Sequence, residues 1–364
     1  MKQVNCQPAL ALSGDELPRA EMINTNETKS IIHQKCTLSC MEGTKLNVAI
    51  SQIAPVWLNK QKTTAKILAQ IEEAGAKDCQ LVVFGEGLLP GYPFWVELTD
   101  GARFNSNLQK EIYAHYFLQA VQIGEGDLDS ICDAALRNKI AVYLGCIERA
   151  ADRGNHSLYC SLVYIDASGT VQSVHRKLVP TYEERLVWSN GDGKGLTVHS
   201  LGAFTVGGLN CWENWLPLAR TTLYAQGENL HVSIWPGSVR NTEDITRFIA
   251  KESRSYVIAA SGLMRNEDIN EDIPHYDKIR ANAPAILGNG GSCMAAPDGT
   301  WVIEPFINKE ALLVATIDLT EVIKERQNFD PSGHYSRPDV FTLQVDTRRQ
   351  SLIELSENKS NGKI

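Results

Sequence analysis

Three short stretches of the 364-residue chain set groups capable of chemistry at the ends of apolar runs. Cys211 lies in GGLNCWENWLPLAR (207–220), Lys177 and Glu184 in HRKLVPTYEER (175–185), and Glu86 in FGEGLLPGYP (84–93). A cysteine sulfur is a soft nucleophile once its proton is removed. A carboxylate leaving a buried strand is desolvated, which lifts its pKa toward the range of a general base. An ammonium beside both can steady negative charge on an adduct. Singly, each has a plainer reading. Free cysteines are among the most buried residue types, and an isolated lysine or glutamate is most often a surface or ion-paired group. A cysteine nucleophile ordinarily calls on histidine, and His199 and His231, in strand-like segments, keep a Cys-His arrangement open.

These groups need elements to position them. Strands are expected at 46–54, 80–84, 140–147, 157–165 and 170–175, then 204–209, 230–234, 256–261, 292–296, 301–305 and 312–317. Helical spacing covers 60–76, 108–121, 128–138, 215–226 and 244–254. Hairpin turns at 167–169 and 298–299 imply antiparallel pairs, so the pattern is layered α/β and not a purely parallel doubly wound sheet. Cys211 stands where a strand ending at Asn210 meets a helix. Helix N-terminal amides there would favour the thiolate, and the Trp212 amide could hold developing charge. Glu213 reads as an N-terminal acid of the same helix.

With 43% hydrophobic residues the chain can bury a large core. A net charge of -8 and no dense basic run give no footprint for nucleic acid or an anionic membrane, which leaves a small-molecule partner. Nine scattered cysteines lack disulfide-framework spacing and suit a reducing cytoplasm. No signal peptide or membrane span is read. Residues 1–44 form a polar extension, 45–341 one undivided domain and 342–364 a charged tail. His33, Cys36 and Cys40 fall short of a tetrahedral metal site, and GDGKG at 191–195 lacks phosphate-loop spacing.

Taken in order, the Glu86, Lys177 and Cys211 stretches resemble the Glu, Lys and Cys motifs of the nitrilase branch of the carbon-nitrogen hydrolase superfamily. The likeness extends from about 45 to 341, including GGSCMAAPDGT and GHYSRPDVF. It implies an α-β-β-α sandwich, no metal or cofactor, and subunits that pair into a homodimer or grow into larger spirals. Arg337-Pro338-Asp339 would be a structural or assembly element. Carried over, Cys211 is the nucleophile, Glu86 the general base and Lys177 the stabilising cation; Glu184, but not Glu183, matches the second glutamate of the lysine motif. Gly85 stands where the family commonly has proline. Tyr92, Trp188, Trp212 and Trp235 occupy substrate-site positions and would suit an apolar nitrile. The implied activity is hydrolysis of an organic nitrile to the acid and ammonia, for which Cys-Trp-Glu is the favouring signal. An amidase, a cyanide-hydratase-type enzyme, or a catalytically silent oligomeric scaffold are the alternatives.

Overall fold

The computed structural model describes residues 43–351 and 353. The extension expected up to residue 44, with its His33, Cys36 and Cys40, falls outside these but for its last two residues, and so does 356–364. The strands in chain order are β1 (Lys45–Gln52), β2 (Leu81–Phe84), β3 (Ala141–Arg149), β4 (Leu158–Ile165), β5 (Val171–Arg176), β6 (His199–Leu201) and β7 (Phe204–Asn210). They continue as β8 (Leu230–Trp235), β9 (Tyr256–Ser261), β10 (Leu263–Arg265), β11 (Ile286–Ala295), β12 (Trp301–Ile307) and β13 (Ala311–Asp318). The helices are α1 (Lys60–Ala76), α2 (Trp95–Leu98), α3 (Asn107–Gln119), α4 (Asp129–Asn138), α5 (Pro217–Tyr224), α6 (Val239–Ser253), α7 (Tyr276–Asn282) and α8 (Leu319–Arg326).

One sheet runs β13-β1-β2-β3-β4-β5 and the other β10-β11-β9-β8-β7-β6, with β12 paired to β11. Each has three parallel strands at its centre, β1-β2-β3 and β7-β8-β9, flanked by antiparallel neighbours. Side chains alternating along both sets, among them Val48, Ile50, Leu81 and Val83 facing Val206, Val232, Ile258 and Met294, interleave as the central core. On the outer face of the first sheet, Ile67 and Ile71 of α1 and Ala134 and Ala135 of α4 cover Val82, Phe84 and Val142. On the second, Ile245 and Ile249 of α6 cover Val257 and Ala259. The result is the expected α-β-β-α sandwich. Helix α1 starts where Asn59 accepts a hydrogen bond from Lys62 N at 3.0 Å, and its buried spacing of three to four residues turns one stripe inward.

Helices α2, α7 and α8 and strands β6 and β10 were not expected, and further departures lie next to the site. The helix expected over 215–226 is divided: 211–215 form a 3₁₀ turn, and α5 begins at Pro217, whose missing N–H suits a first helical position. Helix α6 begins at Val239, five residues ahead of expectation, because Asn289 Oδ1 accepts from Val239 N at 3.0 Å. Strand β11 reaches back to Ile286 through a glycine run that reads locally as a turn, its register shifting along β12. The tail is anchored at least to Arg349, which donates to Asp192 Oδ1 at 2.9 Å and to Val174 O at 3.0 Å.

Candidate active site

Glu86, Lys177 and Cys211 all follow strand ends, where side chains leave the ladders and converge. Glu86 lies just past β2. Its N–H donates to Trp235 O at 3.2 Å, tying the end of β2 to the end of β8 in the opposite sheet. A Cβ at Gly85 would stand 3.2 Å from both Trp235 O and Gly262 N, so glycine suits this close crossing where the family favours proline. Lys177 directly follows β5 and extends its ladder, donating its N–H to Cys160 O at 2.8 Å. Beside it, Arg176 is held by Glu148 at 2.8 and 2.6 Å.

Cys211 follows β7 with φ of 45°, a left-handed conformation rarely adopted by residues other than glycine. Its turn is held by a capping box in which Glu213 Oε2 accepts from Asn210 N at 2.9 Å. Glu213 reaches further, accepting from His175 at 3.1 Å and from Leu178 N, so one carboxylate clamps the lysine strand to the cysteine turn. Asn214 Nδ2 donates to Cys211 O at 2.8 Å, and its Oδ1 meets His231 Nε2 at 2.8 Å. His231 also meets Glu228 at 3.0 Å, while His199 meets Ser173 Oγ at 2.7 Å. Both histidines thus serve as supports, and no histidine among the described residues lines the cavity beside Cys211.

The side chains do meet. Lys177 Nζ is 2.8 Å from Glu86 Oε1 and 2.7 Å from Glu184 Oε2. One reactive atom each of Glu86, Glu184 and Cys211 lies within 4.8 Å of the others, all three buried. Such a cluster could be read as metal ligands, but Lys177 already places a positive charge between the carboxylates. Glu184 also accepts from Thr181 N at 2.6 Å and from Tyr92 OH at 2.8 Å. It thereby fixes both the lysine and its own turn. Glu86 Oε1 takes a further bond from the Cys160 thiol at 3.3 Å. Oε2 has no partner among the described residues and is the oxygen free to take a proton.

Burial, with the Glu184 charge adding and Lys177 opposing, lifts Glu86 to about 7. Burial opposes the charged form of Lys177, yet the surrounding thiol and carboxylates hold its pKa well above the ordinary value. Burial and the charge of Glu86 push the Cys211 thiol well above its usual range. This push opposes the amide stabilisation expected to favour the thiolate: the sulfur sits at a five-residue 3₁₀ turn, among carboxylates and not at a long helix N-terminus. In the base role expected of it, Glu86 would take the thiol proton as the sulfur attacks. A base works only when ionised, so in that role kcat/KM should fall as pH drops below about 7, approaching tenfold per unit. A kcat/KM profile that stays flat from about pH 7 to about pH 5 would contradict this role for the carboxylate.

A cavity of 290 Å³ opens onto Cys211 and Glu184. Tyr92 and Trp212 line it. Trp188 and Trp235 are packed a layer behind. Trp188 stacks edge-on to Tyr92, with the Lys177 ammonium 5.6 Å from its ring centre. Trp235 is fully buried, donating to Ser233 Oγ. The wall is also more polar than expected, because Glu97, Glu183, Arg240 and Asn241 line it too. Glu97 and Arg240 lie in helices α2 and α6. The first of these was not expected and the second begins ahead of its expected start, so neither residue stood out in the sequence.

Residues 47–327 match the carbon-nitrogen hydrolase family. An aliphatic nitrilase of Rhodococcus rhodochrous is 33% identical over 322 residues, covering 85% of this chain and 82% of that protein. An arylacetonitrilase of Aspergillus niger is 33% identical over 325 residues, covering 85% of this chain and 91% of its own. A crystal structure of a carbon-nitrogen hydrolase from Helicobacter pylori shares the fold with a TM-score of 0.62 at 20% identity, covering 81% of this chain and 96% of that one. The sandwich, the family match and these relatives agree: the chain is a hydrolase of carbon-nitrogen bonds and belongs to the nitrilase branch of the carbon-nitrogen hydrolase family.

Proposed function

We propose that the protein hydrolyses an organic nitrile to a carboxylic acid and ammonia, with Cys211 as nucleophile, Glu86 as general acid and base, Lys177 as stabilising cation and Glu184 as its anchor. The observation that carries this reading is the buried Glu86-Lys177-Glu184 chain, with contacts of 2.8 and 2.7 Å, set beside the Cys211 sulfur. The sulfur adds to the nitrile carbon while its proton passes through Glu86 to the nitrogen, giving a thioimidate. Water then adds to the C=N carbon, one of its protons passing through Glu86 to the nitrogen. The C–N bond breaks as the adduct's hydroxyl proton also passes through Glu86 to the nitrogen, so ammonia departs and an acyl thioester remains. A second water, deprotonated by Glu86, displaces the thiol and leaves the acid. Two waters are consumed for each nitrile. Lys177 and the Trp212 amide steady negative charge in the adducts.

The test is a panel of nitriles and matching amides, with ammonia and acid both quantified and the acyl adduct on Cys211 sought by intact mass. Equal yields of acid and ammonia from nitriles support the proposal. Turnover of amides alone would favour an amidase, and an amide product a cyanide-hydratase-type reaction.

The same reading takes the protein as a homo-oligomer in the cytoplasm, where a thiol nucleophile stays reduced. No helix among the described residues is long and apolar enough to cross a membrane. Trp212, Trp215, Leu218 and Phe248 are exposed, with Trp215 stacked 6.3 Å from Phe248 and tilted against Trp212 at 6.5 Å. A second copy of the chain would cover this patch. Leu218→Glu is expected to lower the sedimentation mass toward the monomer; an unchanged mass would move the interface elsewhere.

A further inference from the structure

A second buried thiol touches the site without being the nucleophile. Cys160 lies on β4, between β3 and β5, and is 1% exposed. Its Sγ is 3.3 Å from Glu86 Oε1 and 4.0 Å from Asn210 Oδ1, so the nearer carboxylate takes the proton. Its carbonyl accepts from Lys177 N at 2.8 Å. One residue therefore meets the base through its side chain and the cation's backbone through its own. A buried cysteine is ordinarily a small core hydrophobe, and Cys146 on the neighbouring β3 is one, packed in the core beneath α1 and α4. Cys160 departs from that pattern because its thiol is aimed at an ionisable oxygen. Burial and the charge of Glu86 push this thiol well above its usual range, so it keeps its proton and remains a donor.

Glu86 Oε1 thus has two donors, the Lys177 ammonium at 2.8 Å and this thiol, while Oε2 has none among the described residues. A single contact at Oε1 would let the carboxyl group pivot about it, and a second from another strand fixes its plane. On the reading of Glu86 as base, we propose that Cys160 is a positioning residue of the reaction: its thiol holds Oε1 in place and so leaves Oε2 to carry protons among sulfur, nitrogen and water. Cys160 does not line the cavity beside Cys211, so it acts through Glu86 and not on the substrate. The other charged or titratable groups around Glu86 are Lys177 past β5, Glu184 in the 3₁₀ turn at 182–186, Cys211 past β7 and Tyr92 in the loop after β2. A donor to the ionised carboxylate favours that form, so removing the thiol shifts Glu86 toward its protonated form.

The experiment is a set of pH profiles of kcat/KM for Cys160→Ser, Cys160→Ala and Cys160→Val beside the parent, on the parent's best substrate. Cys160→Ser keeps a donor. Cys160→Ala leaves a small void and Cys160→Val overfills the same space, so these two share the lost donor and not a packing defect. Both should lose about 3- to 10-fold in kcat/KM near about pH 6 and much less near about pH 8, through kcat and not KM. Cys160→Ser should stay within about twofold of the parent at both. A loss equal at every pH, a loss that Cys160→Ser shares, or no loss in Cys160→Ala and Cys160→Val overturns the inference and leaves Cys160 as packing. If the parent profile is flat across the acid range, the base reading falls. In that case, or if no substrate turns over, the carboxyl stretch of Glu86, isolated as the infrared difference from Glu86→Gln, decides. Its titration midpoint should rise in Cys160→Ala and Cys160→Val and not in Cys160→Ser, and a midpoint that none of them moves overturns the inference.

Discussion

Cys211→Ala is expected to release no ammonia from any substrate of the parent chain, a loss of about 10⁴-fold or more, because the proposed covalent adduct forms on this sulfur. The substitution removes one sulfur from a buried site and leaves the clamp around it intact. Glu213 still holds Asn210 N, and Asn214 still holds the carbonyl of residue 211. The left-handed backbone strains alanine as it strains cysteine, so the thermal midpoint should shift by only a few degrees. Ammonia assay, intact mass after substrate and a thermal melt together check the result. Retained turnover with an unmodified residue 211 would remove the cysteine from the mechanism.

Lys177→Met should cut turnover steeply and also strike the fold. The ammonium lies between two carboxylates, each 1% exposed or less at the side chain. Breaking a buried pair while leaving the other charge behind destabilises by about 3–5 kcal/mol. The variant can lower that strain by protonating Glu86, whose folded pKa, already raised to about 7 beside the ammonium, rises further once Lys177 no longer opposes the shift. The folded state binds protons more tightly in that window, so stability should increase as pH falls from about 8 toward about 5. Urea melts at several pH values measure this directly. A variant that is as stable as the parent at pH 8 would mean that the carboxylates find another cation. Turnover should fall by about 10³-fold, since neither a charged base nor a cation for the adduct remains.

The three junctions were legible because their signals are local. Glycine and proline close the strand before Glu86, Pro180 stops the chain just past Lys177, and Asn210 ends the strand before Cys211. Their convergence was not local and came only through resemblance. Nor could the sequence show that Glu213, two residues from the nucleophile, takes bonds from residues 35 and 38 positions away. The same limit separates Trp212 from Trp235. Both are tryptophans past a strand or at its end, yet one is 52% exposed at the cavity and the other fully buried, a difference set by which elements pack over each. The upward push on the Cys211 thiol was missed for a related reason. A helix start can be read from residue types, whereas two carboxylates from distant segments cannot be placed around a sulfur by inspection.

The hydrogen bond from Glu86 N to Trp235 O crosses between the layers of the sandwich, and this has a mechanical meaning. Base and cation ride on one slab, the sulfur on the other, so the reacting distance is the registry of two slabs and not the shape of one loop. A shear of an ångström along their shared interior would misalign the chemistry, and the Glu213 carboxylate, bonded to both slabs, opposes it.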